Sequence, residues 1–116
     1  MSGHARGGTG HWRNQRISAL ALVPLGAWFV FTLLSLPDLG FATVTSRLAE
    51  PLQATLMLLF GWCALWHSAQ GVQVVVDDYV AGQMHSRVRS ISRWSHLALA
   101  ALLAWSIARI ALGGAA

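Results

Sequence analysis

Lysine is absent from this chain: all eight basic residues are arginine. Only four residues are acidic, and there is one cysteine and one tyrosine. Each shortage excludes something. A single cysteine, Cys63, can neither close an internal disulfide nor build a thiolate-rich metal or cluster site. Lying in an apolar run, it reads as a small buried side chain. Charged residues make up 10% of the 116, against about 25% in an ordinary soluble domain. With 55% of the residues hydrophobic, most of the chain is not built to face water. The length allows one small domain or a few spanning helices. The net charge of +4 raises the question of nucleic acid. The arginines, however, flank apolar runs instead of forming one basic face, so membrane topology accounts for them and no nucleic-acid partner is expected.

What remains is the pattern of a polytopic all-α membrane protein. Residues 1–10 are glycine-rich and read as a mobile tail, without the apolar core and small-residue cleavage site of a signal peptide. Residues 11–116 read as a three-helix membrane domain. In the polar, aromatic stretch His11–Arg16, Trp12 suits the headgroup level, and Arg13 and Arg16 suit the cytoplasmic side. The first span is 17–36, charge-free and about 20 residues long, enough for ~30 Å of hydrocarbon. Pro24 inside it frees the carbonyl of Leu20 and predicts a bend. After a turn at Leu36–Gly40, the amphipathic stretch Phe41–Leu48 suits a position along the interface. The second span is 52–76, long enough to tilt or protrude. Trp62 and Trp66 sit inside it, which suits helix packing or contact with something large and flat. The polar segment 77–93 follows, and the third span is 97–112, with Arg109 able to snorkel. No internal repeat is visible.

Arginine counts set the orientation. Arg6, Arg13 and Arg16 precede the first span, and Arg87, Arg89 and Arg93 lie between the second and third. The remaining connection holds only Arg47. The positive-inside rule then predicts a cytoplasmic N-terminus, with Asp77–Arg93 on the same side.

The chemistry concentrates in the second span. At 100° per residue, Phe60, Ala64, His67, Gly71 and Asp78 fall on one stripe. His67 lies nine residues from the cytoplasmic end of the span, roughly 13 Å deep. Charged, it would cost several kcal/mol there; neutral, it still needs a partner for its N–H and a use for its lone pair. Three uses fit: a structural hydrogen bond to another helix, a proton relay, or ligation of haem iron through one nitrogen while the other bonds to the protein. Gly71, one turn on, lets a flat group lie close to the backbone. His4, His11, His85 and His96 read as lying at or beyond the polar edges, so a second axial histidine is expected from another chain. Where the span meets water, Tyr79 is the kind of donor that holds a quinone carbonyl, and Asp78 can orient it or pass protons. An interfacial belt tyrosine and a solvated helix end are the plainer readings of the same residues.

The spacing His67-x3-Gly71-x6-Asp78-Tyr79 on the second of three spans, preceded by Gln15-Arg16-Ile17-Ser18-Ala19 at the first, resembles the small hydrophobic anchor subunit (the D subunit, cytochrome b556 type) of bacterial succinate dehydrogenase, respiratory complex II. The resemblance covers roughly residues 11–112. It implies that His67 is an axial ligand of haem b shared with the C anchor subunit, and that Arg16 and Gly71 lie beside the haem. It implies that Tyr79, with Asp78, contacts ubiquinone, and it carries no role for Asp77. By the same resemblance this chain is not catalytic on its own. Succinate is oxidised at FAD in a flavoprotein subunit, electrons cross clusters in an iron–sulfur subunit, and ubiquinone is reduced at the cytoplasmic face of a multi-pass inner-membrane anchor. Two alternatives stay open: a fumarate reductase anchor running the reaction in reverse, and a membrane assembly or scaffold protein without a redox cofactor.

Overall fold

The computed structural model describes residues 4–113, all helices and connections, with no strand among them. Helix α1 spans His4–Ser35, α2 Phe41–Leu48, α3 Pro51–Tyr79 and α4 Gly82–Ala111. The start of α1 takes in most of the glycine-rich stretch 1–10, of which Met1–Gly3 lie outside the described residues. Helix α1 continues through Pro24.

Local chemistry explains the boundaries. Beyond Ser35, the Asp38 carboxylate accepts the Gly40 N–H at 2.8 Å, a turn that offers the backbone an alternative to helix. That contact and the hydroxyl of Thr43, the larger influence, hold the Asp38 carboxyl below its usual value. Pro51 occupies the first turn of α3, where its missing N–H has no helical partner in any case. Gly82 adopts φ +67°, a left-handed conformation that an L side chain resists, and it lets the chain reverse within two residues.

Three α-helices of 32, 29 and 30 residues form the body, with extents of 56 × 26 × 21 Å. The stretches Gly10–Ser35 and Gln83–Ala111 are each long and apolar enough to cross a bilayer. Helices α2 and α3, bent by 96°, meet that criterion together. The stretch Phe41–Leu48 forms a separate short helix that turns sharply away from the axis of α3. Helix α3 alone runs ~44 Å, so it overhangs a ~30 Å hydrocarbon layer. One expectation changes. The polar segment 77–93 is not a loop before a span at 97: α4 begins at Gly82 and carries those arginines on its first three turns. No proline or glycine interrupts 83–111, and long arginine side chains can reach polar surroundings from a helix.

Helix α3 is the central element. Phe60 stacks on Phe29 of α1 with centroids 4.8 Å apart, a contact worth about 0.5–1.5 kcal/mol beyond area burial. On the α4 side, the Trp62 indole N–H donates to the Ala100 carbonyl at 3.1 Å. A side chain at Gly61 would run into Leu103, so the two helices approach closely there. Among the described residues the buried apolar side chains are Ala54, Val76 and Ile107 alone. Leu20, Phe31 and Leu34 are exposed. Water would not tolerate so large an apolar surface; hydrocarbon or a partner helix covers it.

Candidate functional site: a half-committed histidine on the central helix

The stripe read from the sequence faces α1. Phe60 meets Phe29, and one ring nitrogen of His67, Nδ1, lies 3.0 Å from Oγ of Ser18. Ser18 is completely buried. Its Oγ is also 2.9 Å from the Gln15 carbonyl, an acceptor that can only be met by the hydroxyl proton. A hydroxyl has one proton, so when it points to that carbonyl the oxygen accepts from His67 and Nδ1–H donates. The neutral imidazole then carries its lone pair on Nε2, which has no hydrogen-bond partner among the described residues. The structural and ligating uses of this histidine therefore do not compete, because each takes a different nitrogen. One turn on, a Cβ built on Gly71 would meet nothing within 4 Å, so open space lies beside the backbone there. Together these features fit the donor set of a haem axial ligand: an imidazole with its N–H engaged, its other nitrogen available, and no side chain crowding the backbone at Gly71.

The structure disperses the other predicted residues. Arg16 is exposed, its guanidinium 4.9 Å from the centroid of the Trp12 ring, a pair worth about 0.5–1 kcal/mol at an exposed site. Asp78 lines a cavity of about 640 Å³ with His11, Trp12, Gln15, Gln73 and Asp77. Tyr79 ends α3 outside that cavity and is 84% exposed. A second cavity of about 540 Å³ opens between α3 and α4, with Trp62, Trp66, Gln70, Arg93, His96 and His11 among its walls.

Several polar features went unread in the sequence. His96 packs against α3: its Nε2 lies 3.2 Å from Ser68 Oγ, level with the residue after His67. The early start of α4 explains this, since it places His96 in the middle of a helix. Its Nδ1–H donates to the Ser92 carbonyl at 2.8 Å, leaving Nε2 to accept from Ser68. His96 thus pairs across the α3–α4 seam, whereas His67 faces α1, and this chain does not bring them together as two ligands. Gln70 is nine-tenths buried, and both its amide atoms lack partners among the described residues, as does Nε2 of His11. Buried polar groups are normally satisfied, which sets these two side chains apart from their neighbours. An amide in an apolar span, three residues after His67, was the available signal for Gln70.

Asp77 is tied down at the α3–α4 junction. It accepts from Gln73 Nε2 at 2.8 Å and from His85 Nε2 at 2.7 Å. The Gln73 contact first, then the His85 contact and the nearby positive charges of His85 and Arg89, hold its carboxyl below the ordinary value of 3.8. A lowered carboxylate pKa stabilises the folded junction above the unfolded value, and that contribution disappears as pH falls through the lowered one. The expected result is that amide exchange at residues 77–85 accelerates below about pH 4 and that Asp77→Asn removes this acid dependence. Exchange measured between pH 3 and pH 6 on both forms checks it.

A bundle of long apolar helices, at least two of them able to cross a bilayer, defines an integral membrane subunit. The comparisons make this specific. Residues 2–108 match the succinate dehydrogenase/fumarate reductase transmembrane subunit family, and the chain belongs to it. It is 30% identical over 80 residues to the succinate dehydrogenase hydrophobic membrane anchor subunit of Rickettsia bellii, covering 69% of this chain and 64% of that one. The subunit of the same name from Rickettsia conorii is 28% identical over 81 residues, with the same coverage. That from Rickettsia prowazekii is 23% identical over 79 residues, covering 68% and 63%. The chain thus spans a little under two thirds of these relatives.

Proposed function

We propose that this chain is the D-type anchor subunit of a bacterial succinate:ubiquinone oxidoreductase. It spans the inner membrane three times with its N-terminus in the cytoplasm. It holds a flavoprotein subunit and an iron–sulfur subunit at the membrane jointly with a C-type anchor. The observation that carries this reading is the state of His67 in a member of this family: Nδ1 engaged by Ser18, Nε2 available, and open space at Gly71. His67 would give one axial bond to haem b, and a histidine of the C-type anchor would give the other. Bound haem supplies a one-electron store beside the quinone site. Arg16, just before the first span at 17–36, complements the charge of the propionates. Tyr79 donates a hydrogen bond to a ubiquinone carbonyl, and Asp78 orients that hydroxyl or hands on a proton. FAD and iron–sulfur clusters belong to the partners, since one cysteine cannot hold a cluster.

Family membership speaks against the non-redox scaffold alternative. The family description includes fumarate reductase subunits, while the relatives named above are succinate dehydrogenase subunits, which favours succinate oxidation. The test is purification of the tagged chain from its native membrane. Expected are a covalently flavinylated or flavin-containing subunit, an iron–sulfur subunit, a second hydrophobic subunit and a b-type reduced-minus-oxidised spectrum, with succinate reducing ubiquinone faster than quinol reduces fumarate. Recovery of the chain without a flavoprotein overturns the anchor reading. Recovery of the full complex without b-type absorbance overturns the haem assignment alone.

A further inference from the structure

We propose that Ser18 is the positioning residue of His67, fixing which imidazole nitrogen is free and which way the ring faces; this rests on the haem-ligand reading above. The two residues are 49 positions apart and meet across the α1–α3 seam at 3.0 Å. Ser18 is the most deeply buried side chain described, so no water competes for its oxygen. The direction of the bond is set from behind. Because the hydroxyl proton goes to the Gln15 carbonyl one turn earlier on α1, Oγ is held as an acceptor. Nδ1 must therefore carry the proton, and Nε2 the lone pair.

The energetic logic is that of a metal ligand supported through its second nitrogen. An imidazole whose N–H is engaged is held in one tautomer and one orientation, and it is a more basic donor to iron. A more basic axial ligand favours the ferric form and lowers the midpoint potential. Ser18→Ala removes the acceptor. The imidazole then divides between tautomers, and half-turns of the ring are no longer opposed. Loss of such a supporting bond typically weakens metal affinity about 10- to 100-fold. No other polar contact holds the ring among the described residues, so nothing replaces Ser18.

The experiment uses the whole purified complex with Ser18→Ala, Ser18→Thr and His67→Ala beside the wild type. Three properties are read: haem loss to a large excess of an apo-haem acceptor, the haem midpoint potential, and the ¹⁵N shifts of the His67 ring in complex prepared without haem. For Ser18→Ala the expected results are haem loss at least tenfold faster, a potential shifted in the positive direction, and a mixed tautomer in place of Nδ1–H. Ser18→Thr keeps the hydroxyl and the bond to the carbonyl three residues back, and it should restore all three. Wild-type values for Ser18→Ala in haem loss, potential and tautomer overturn the proposal. If His67→Ala retains the wild-type haem spectrum, the ligand reading fails instead. The ring ¹⁵N shifts then still report whether Ser18 sets the tautomer.

Discussion

His67→Ala should assemble with its partner subunits and lose essentially all b-type absorbance per complex. The local cost of the substitution is modest, and that makes the result interpretable. Removing the imidazole leaves Ser18 still donating to the Gln15 carbonyl, so no buried donor is stranded. Phe29 and Phe60 still stack one to two turns away, and Trp62 still bonds to Ala100, so both seams of α3 keep their principal contacts. What vanishes is the only nitrogen on the α1-facing stripe with a lone pair to give. His96 cannot take over, because its Nε2 faces Ser68 across the other seam. The measurement is the reduced-minus-oxidised spectrum of affinity-purified complex normalised to covalent or bound flavin. Full assembly with an unchanged spectrum would remove His67 from the iron.

Tyr79→Phe should lower kcat/KM for ubiquinone by about tenfold or more while leaving succinate oxidation by an artificial acceptor unchanged. A tenfold loss corresponds to ~1.4 kcal/mol, the scale of one hydrogen bond made to a group that gains charge as it is reduced. The split between acceptors separates the quinone site from the flavin and clusters, which this substitution does not touch. Tyr79 is 84% exposed in the isolated chain, so its removal exposes no cavity and orphans no buried group. Asp78 borders the cavity it shares with His11 and Gln15, and Asp78→Asn should act in the same direction with a smaller effect. Equal ubiquinone kinetics for Tyr79→Phe and wild type would take the tyrosine out of the quinone pocket.

The contrast between these residues shows what can be read from one dimension. His67, Gly71, Asp78 and Tyr79 were legible because a helix imposes a fixed period, and because a polar residue in an apolar run is conspicuous against its neighbours. The three long helices and the short one at Phe41–Leu48 followed from the same sources. Ser18 was not legible as a partner of His67. A serine in a helix most often bonds to its own backbone, and nothing in the sequence states which helix lies against which. The contact of His96 with Ser68 was unread for a related reason: it depended on where α4 begins, and a left-handed Gly82 sets that start fifteen residues before the predicted span. Asp77, silent in the motif, gained its partners when the short reversal brought His85 back within 2.7 Å.

By itself, then, the sequence determined that this chain is a helical membrane protein with one histidine out of place in hydrocarbon and a polar exit below it. Periodicity and the cost of burying charge are enough for that. The tertiary structure alone decided how that histidine is used. Only the packing of α1 on α3 brings the Ser18 oxygen to Nδ1, and donation of the Ser18 hydroxyl proton to the Gln15 carbonyl leaves that oxygen to accept. The choice between the two ring nitrogens is made by a long-range contact, and long-range contacts are absent from any local pattern.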